Sequence, residues 1–321
     1  MATLLTLGEP LAVFASTEEG LPLQDATHFE KHLAGAEANV AIGTVRLGHQ
    51  ARYLAQVGAD PMGAFIQAGL AAAGVDTRAM ATDRDHPTGV QFKAKTAIGD
   101  PEIFYLRRNS AGAHTTPALV TPSVLTDVAA AHLTGIFAAL SADARATMAA
   151  LIHAPHQAHV PISFDPNIRP ALWPDSTTMV MTLNALAAQA QLVLPGIKEG
   201  QLLTGRQTAQ DIAAFYFAQS TLTTTVVIKD GPRGAHWFTR AGASGFVASF
   251  QAQVVDTVGA GDGFALGVVT ALMEGLTLPQ AVQRGTAIGA RAVMAPGDND
   301  GYPTRQALDA FITRAASSKE S

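Results

Sequence analysis

A carboxylate set inside a turn of small residues is the most chemically suggestive feature of this chain: Val255-Asp256-Thr257-Val258-Gly259-Ala260-Gly261-Asp262-Gly263-Phe264. The turn follows a strand-like run, Gly245 to Phe250 then Val254-Val255, and precedes an apolar helix from Ala265 to Met273. Small, permissive residues around Ala260 let consecutive backbone N–H groups point into one hollow at a helix N-terminus, where the macrodipole also favours negative charge. Asp262 in such an anion hole would repel a phosphate, unless it takes a proton from a hydroxyl that attacks phosphorus. The helix dipole and first-turn N–H bonds predict an ionised, weak base. The alternative is an aspartate that only caps the helix.

Other candidates fall at the ends of apolar runs. Phe164-Asp165-Pro166-Asn167-Ile168-Arg169-Pro170 places a carboxylate, an amide and a guanidinium in a proline-stiffened loop. Arg169 has the fork that matches a carboxylate or phosphate, with a surface ion pair as the alternative. Tyr105 and Arg107 share a strand face by period-two spacing, with Arg108 pointing the other way; a charged edge that discourages strand pairing is the bland alternative. Glu199, in Leu194-Pro195-Gly196-Ile197-Lys198-Glu199, can hold magnesium through water. The loop Lys229-Asp230-Gly231-Pro232-Arg233-Gly234 suits close backbone approach to a nucleotide. Glu37 and Asn39 stand out in the small-residue segment Ala34 to Ala41. His153, His156 and His159 invite a metal reading, but Pro155 is expected to break the helix between them and no carboxylate completes the set, which favours a solvated loop. Neither GxGxxG nor GxxxxGK[ST] occurs, since Phe264 takes the sixth position of the first pattern.

The elements that must hold these residues follow from periodicity. Strands are expected at Leu4 to Leu7, Ala51 to Gly58, from Gly74-Val75-Asp76, His132 to Phe137, Val160 to Phe164, Leu192 to Leu194 and Thr224 to Ile228. Helices are expected at Val40 to Leu47, Met62 to Ala73 behind Asp60-Pro61, Ala142 to His153, Thr177 to Gln189, from Lys198 and from Ala209, with three more at the C-terminus. Thr88 to Lys95 and Ile103 to Arg107, around Gly99-Asp100-Pro101, form an antiparallel hairpin that can serve as a lid, and Ala235 to Arg240 with Phe246 to Phe250 form a second. Ser16 to His32 reads as a polar stretch, and the tail from Ala315 as frayed. Repeated βα units predict a parallel sheet covered on both faces, a Rossmann-like three-layer α/β sandwich with ligands beyond the carboxyl ends of its strands. The whole chain, 1–321, is expected to be one domain with lid segments near 9–33 and 86–110.

Composition narrows the class. Of 321 residues, 48% are hydrophobic and 15% charged, which predicts a large core. A formal charge of −5 and a pI near 6.0 leave no basic footprint for nucleic acid. The absence of cysteine excludes disulfides and thiol catalysis. With no signal-peptide pattern before Glu9 and no run near the ~20 apolar residues that span a bilayer, a cytoplasmic, membrane-free protein is expected.

The chain resembles the ribokinase-like family of sugar kinases over nearly its whole length, on Ala34 to Ala41, on Asp256 to Phe264, and on the order of hairpin, Asp165 loop, Glu199 turn and Lys229 loop. Within it, Gly8-Glu9-Pro10, Tyr105-x-Arg107, Asp165 to Pro170 and Pro296 to Gly301 look like the 2-keto-3-deoxygluconate kinase branch. The resemblance implies phosphoryl transfer from ATP to a sugar's primary hydroxyl, with Asp262 as base and the amides of Val258, Gly259, Ala260 and Gly261 stabilising the moving group. It implies that Gly35, Asn39 and Gln91 meet the sugar, that Tyr105, Arg107 and Arg169 hold a sugar acid, and that Glu199 organises Mg2+. It further implies that Lys229, Gly231 and Gly234, with Thr286 and Gly289, flank the adenine, and that Asp256 contributes to a monovalent-cation (K+) site. Gly196 stands where the family often has asparagine, Gln91 where this branch can carry tyrosine, and Glu37 where ribokinases have glycine. A neutral-sugar kinase such as a fructokinase is the nearest rival; a nicotinamide dehydrogenase and a non-catalytic sugar sensor are rivals of other classes. An exposed hairpin can also pair with that of a second copy, giving a homo-oligomer.

Overall fold

The computed structural model describes residues 2–96 and 101–317, with side chains to residue 315. The chain opens with β1 (Thr3–Leu7), runs out through β2 (Leu11–Glu19) and β3 (Phe29–Ala34), and returns by α1 (Ala36–Arg46) to β4 (Gln50–Gly58). Then come α2 (Pro61–Ala72), β5 (Met80–Asp83), β6 (Val90–Lys95), β7 (Ile103–Leu106) and β8 (Val128–Thr134). A short α3 (Gly135–Ala138) and α4 (Ala142–Gln157) lead to β9 (Ile162–Asp165), α5 (Ser176–Ala187), β10 (Leu192–Val193), α6 (Ile197–Thr204), α7 (Ala209–Gln219) and β11 (Thr225–Lys229). The hairpin β12 (Gly234–Thr239) and β13 (Ser244–Ala248) precedes α8 (Ala260–Met273), α9 (Leu278–Ala292) and α10 (Arg305–Ser317).

Nine strands form one sheet in the order β13-β12-β11-β10-β9-β8-β1-β4-β5. It is parallel from β5 to β11 and antiparallel at β12 and β13. Period-two alternation sorts its side chains between two helical layers. Leu5 and Leu7 of β1 and Val226 and Ile228 of β11 pack with Met148, Leu183 and Ile212 of α4, α5 and α7. Their neighbours Leu4 and Val227 pack on the other face with Val40, Leu266 and Ile288 of α1, α8 and α9. Strands buried on both faces need apolar residues at successive positions, which is what these runs supply. The expected α/β three-layer sandwich is the architecture found. No helix among the described residues is long and apolar enough to cross a membrane.

The second sheet has the order β3-β2-β6-β7 and contains the expected hairpin of β6 and β7. Its other half, β2 and β3, occupies the stretch expected to be merely polar. Glu30 and Lys31 lie exposed on β3, an edge strand whose charges discourage further pairing and hide its strand character in the sequence. Elsewhere, Gly74-Val75-Asp76 makes only one bridge, Arg52 with Asp76, and β5 begins later. The Asp76 carboxylate is committed instead to Arg52 and Arg78. β8 stops at Thr134, where Gly135 to Phe137 turn into α3. Pro155 does not break α4, which continues to Gln157; so near a helix end its missing N–H costs one bond. Val254 and Val255 lie outside any strand and exposed. Gly99 and Asp100 of the hairpin turn lie outside the described residues. α10 carries through Ser317, past the start of the expected frayed tail, whose last residues, 318–321, are likewise outside.

Candidate active site

Side chains at the carboxyl ends of neighbouring parallel strands line a cavity of about 370 Å3. Glu9 follows β1, Ile136 follows β8, Asp165 ends β9, Glu199 sits on α6 after β10, and Lys229 ends β11. The second sheet contributes Gln91, Ile103 and Tyr105, with Arg107 just beyond β7, and the Thr257 to Asp262 turn forms a further wall. Ligand sites of open α/β sheets are expected at such strand ends.

The small-residue turn has the predicted form. Gly259 is the N-cap of α8 and adopts φ 79°, a left-handed conformation. A Cβ there would lie 1.8 Å from the Asp298 carbonyl oxygen, so only glycine fits. Tyr302 Oη donates to Gly259 O at 2.7 Å and braces the loop. The amides of Ala260, Gly261 and Asp262 belong to the first helical turn, whose N–H groups lack intrahelical acceptors. The Val258 N–H, expected to join them, instead donates to Asp256 Oδ1 at 3.0 Å.

Asp262 does not cap the helix. Its Oδ2 accepts from Asn39 Nδ2 at 2.9 Å and its Oδ1 from Asn167 Nδ2 at 3.2 Å. Asn39 is itself oriented by Asn299 Nδ2, which donates to Asn39 Oδ1 at 3.0 Å. Burial pushes the Asp262 carboxyl up to about 6, against the hydrogen bond from Asn39 and with help from the Asp165 charge. It is therefore a stronger base than the sequence suggested, ionised at neutral pH and neutral in mild acid. Activity that needs its carboxylate should fall about tenfold per pH unit below about 6 and level off above it. A pH profile of kcat/KM that stays flat between pH ~5 and ~7 would exclude Asp262 as the titrating group.

The opposite wall is less simply charged than expected. Arg107 is buried; its Nε donates to Glu9 Oε2 at 2.7 Å, and its Nη2 lies 2.5 Å from the same oxygen in an ion pair. Ser110 Oγ donates to the other Glu9 oxygen. The Arg107 charge is thus already neutralised within the protein, and its guanidinium lies 5.6 Å from the centre of the half-exposed Tyr105 ring. Arg169 is exposed and donates to the Ile168 carbonyl at 2.9 Å, which leaves its charge uncompensated in that bond. Arg108 lies beyond the end of β7 and is exposed. Gln91 is buried, while Gly35 caps α1 at the cavity edge. Burial pushes the Glu37 carboxyl up to about 8, against the hydrogen bond from Thr134 Oγ1, so it is protonated at neutral pH.

Lys229 sits in the middle of the site. Its Nζ donates to Asp165 Oδ2 at 2.5 Å and lies 3.8 Å from where a Gly261 Cβ would be. Burial works against its charge, but the Asp165 and Glu199 carboxylates outweigh that and hold its pKa above the usual lysine range. The other residues expected around a nucleotide base are not among the lining of this cavity. Gly231 is exposed; Gly234 packs against the β13 backbone, with a Cβ 2.0 Å from Val247 O. Thr286 is buried and donates to Gln283 O on its own helix, and Gly289 faces the Ala260 carbonyl. Glu199 accepts from Ile168 N at 2.8 Å and Gly196 N at 2.7 Å, so backbone amides fix both oxygens while each keeps a lone pair. Asp256 is paired with Lys93 at 2.5 Å. Glu9, Asn167 and Asn299 were each named within sequence motifs, but their pairings with Arg107, Asp262 and Asn39 were not, and Lys93, the partner of Asp256, carried no signal beyond its place in the hairpin.

A family model described as pfkB family carbohydrate kinase matches residues 1–305. The chain belongs to this family. It is 44% identical over 311 residues to a 2-dehydro-3-deoxygluconokinase from Bacillus subtilis (strain 168), covering 96% of this chain and 95% of that one. It is 33% identical over 316 residues to a 2-dehydro-3-deoxygluconokinase from Thermoproteus tenax, with 97% and 94% covered. Among solved structures, a PfkB protein from Polaromonas sp. JS666 superposes with TM-score 0.88 at 40% identity, covering 97% of this pfkB kinase and 100% of that chain. A protein provisionally named Ribokinase II from E. coli, in complex with ATP and Mg2+, gives TM-score 0.90 at 25% identity, with 98% and 100% covered. Carbohydrate phosphorylation is thus this enzyme's reaction class, which removes the dehydrogenase and silent-sensor alternatives.

Proposed function

We propose that this pfkB kinase transfers the γ-phosphoryl group of ATP to the primary hydroxyl of 2-keto-3-deoxygluconate, also called 2-dehydro-3-deoxygluconate. The observation that carries the reading is the facing of Asp262 and its glycine turn by the exposed Arg169 guanidinium, which forms no ion pair among the described residues, across one cavity of about 370 Å3. A sugar acid needs a countercharge; a neutral ketose does not. The relatives named above supply the specific sugar acid by analogy.

In this reading the sugar hydroxyl lies against Asp262, held by Asn39 and Asn167 so that one carboxylate oxygen receives the proton as the oxygen attacks phosphorus. The Gly259, Ala260 and Gly261 backbone and the Lys229 ammonium offset charge on the transferring group, where most of the catalysis in phosphoryl transfer arises. Gly35, Gln91, Tyr105 and Arg107 shape the sugar side. The second sheet serves as a lid within a single kinase domain, and its exposed edge strand β7 offers a surface for a second copy. The nucleotide base extends away from the cavity toward Gly231 and Gly289. The acceptor set suits magnesium: Asn167 Oδ1 is buried without a partner among the described residues, and the Asp165 and Glu199 carboxylates line the same space. Oxygen-only sites of this kind hold Mg2+ through its waters, and the ion screens charge on the ATP phosphates. A cytoplasmic location, where ATP is plentiful, fits this reading.

ADP release over a panel of sugars and sugar acids tests the assignment. Arg169→Ala should lose about 100-fold in kcat/KM on 2-keto-3-deoxygluconate, on the order of 3 kcal/mol for a charge-assisted contact, and less than about threefold on fructose. Equal losses on both would refute the carboxylate role, and turnover of neutral ketoses alone would refute the substrate.

A further inference from the structure

Lys93 projects from β6 of the second sheet to the loop ahead of the anion hole. Its Nζ donates to Asp256 Oδ2 at 2.5 Å, with the two side chains only 11% and 17% exposed. The remaining oxygen, Oδ1, accepts from the Val258 amide at 3.0 Å. One carboxylate therefore joins the lid to the residue that precedes Gly259. Asp298 and Asp300 line the same recess, of about 620 Å3, as Lys93 and Asp256. Burial pushes the Asp298 carboxyl up to about 6; the Lys93 charge draws it down, and the Asp256 and Asp300 charges push it further up. Asp298 O is also the atom against which Gly259 is packed. One ammonium, paired with Asp256, thus shares a recess at the base of the phosphoryl cradle with two further carboxylates, Asp298 and Asp300.

The resemblance to ribokinases puts a monovalent cation at Asp256, and the residues here do not fit one. The carboxylate oxygen such an ion would need already binds an ammonium, and the other holds a backbone amide. An alkylammonium carries the same unit charge as potassium and, like it, is satisfied by oxygen acceptors. At 2.5 Å from a scarcely exposed carboxylate it is screened little by solvent. We propose that Lys93 is a tethered replacement for the monovalent cation, a positioning residue that holds Asp256 and the Val258-Gly259 turn in shape, so that this kinase works without potassium. The proposal rests on the reading of the Gly259 to Asp262 turn as the phosphoryl cradle. It also makes cradle charge balance depend on the lid, because the ammonium arrives with β6. Once the ammonium is removed, the recess beside the pair leaves room for a free ion to reach Asp256.

The test compares wild type, Lys93→Met and Lys93→Gln in potassium, rubidium, sodium or tetramethylammonium chloride at equal ionic strength, by Tm and by ADP release. Wild type should give the same Tm and rate in all four salts. Both variants should lose about tenfold in rate in tetramethylammonium, the equivalent of roughly 1.4 kcal/mol, and regain it in potassium or rubidium. They alone should show a Tm rise specific to those two ions, and rubidium anomalous scattering should appear beside Asp256 only in the variants. Potassium stimulation of wild type would overturn the proposal, as would variants that keep full rate in tetramethylammonium. So would variants impaired equally in every salt, for which Lys93 is a mechanical latch. If no protein turned over any sugar acid, the substrate assignment would fall, while the ion-specific Tm shift and the rubidium site would still decide the role of Lys93.

Discussion

Asp262→Asn should lower kcat by about 1,000-fold, within the range for losing a positioned general base, while KM for the sugar changes little. The expectation follows from how the carboxylate is held. Each oxygen accepts one amide hydrogen bond, from Asn39 and Asn167, and an asparagine of the same shape can keep at most one of these, since its NH2 would face a donor. The substitution therefore removes the base and misaligns one amide without opening a cavity. Stability should move the other way: burial raises this carboxyl to about 6, so ionisation opposes folding, and a neutral side chain relieves that cost. The sign is fixed by linkage. A carboxyl whose folded pKa lies above its unfolded value contributes stability that is complete below the unfolded pKa and lost as pH rises through about 6. The variant should thus unfold at a higher temperature than wild type at pH ~8 and at about the same temperature at pH ~4. A catalytic role is supported by an inactive but more stable protein; a variant with undiminished ATP-dependent turnover excludes it.

How much of this was visible in the chain depends on distance in sequence. Local signals held well. Apolar runs gave β1, β4, β9 and β11, and the polar residues that follow or end three of them put Glu9, Asp165 and Lys229 at strand ends. Asp60-Pro61 gave the start of α2, where Asp60 Oδ1 accepts from both Met62 N and Gly63 N. The glycine turn gave its own backbone geometry, because so few residue types tolerate it. What stayed hidden were pairings across the sheet ends. Period two put Arg107 on the same face as Tyr105, but nothing local shows that Glu9, 98 residues away, neutralises it. The Lys229 loop looked like a nucleotide contact by composition, and only the packing of β9 beside β10 and β11 brings Lys229 to Asp165. Nor does anything near Asp256 in the sequence show that Lys93, 163 positions away on the second sheet, pairs with it. Charge balance at a site is a property of strand order, which a single sequence leaves nearly unconstrained.

Lys229→Met should be the second severe change, through stability as well as rate. Its ammonium is bonded to Asp165, whose side chain is 2% exposed, and it also faces the Glu199 and Asp262 charges. Removing it leaves a buried carboxylate with the Asn167 amide on Oδ1 but without its countercharge, a change that typically costs about 3–5 kcal/mol. Acidification, which neutralises a lone buried carboxylate, should return part of that loss, so the gap in Tm between variant and wild type narrows as pH falls. The rate should drop by about 100- to 1,000-fold, the scale of losing one preorganised charge next to a developing anion. The acid limb set by Asp262 should also move to higher pH, since a nearby positive charge that favoured its ionised form is gone. The double variant Asp165→Asn/Lys229→Met separates the two effects. With no lone buried charge, its Tm should return toward wild type, while the rate stays low because the cradle still lacks its cation. Recovery of both together would mean that Lys229 matters only as the partner of Asp165 and that its charge has no share in moving the phosphoryl group.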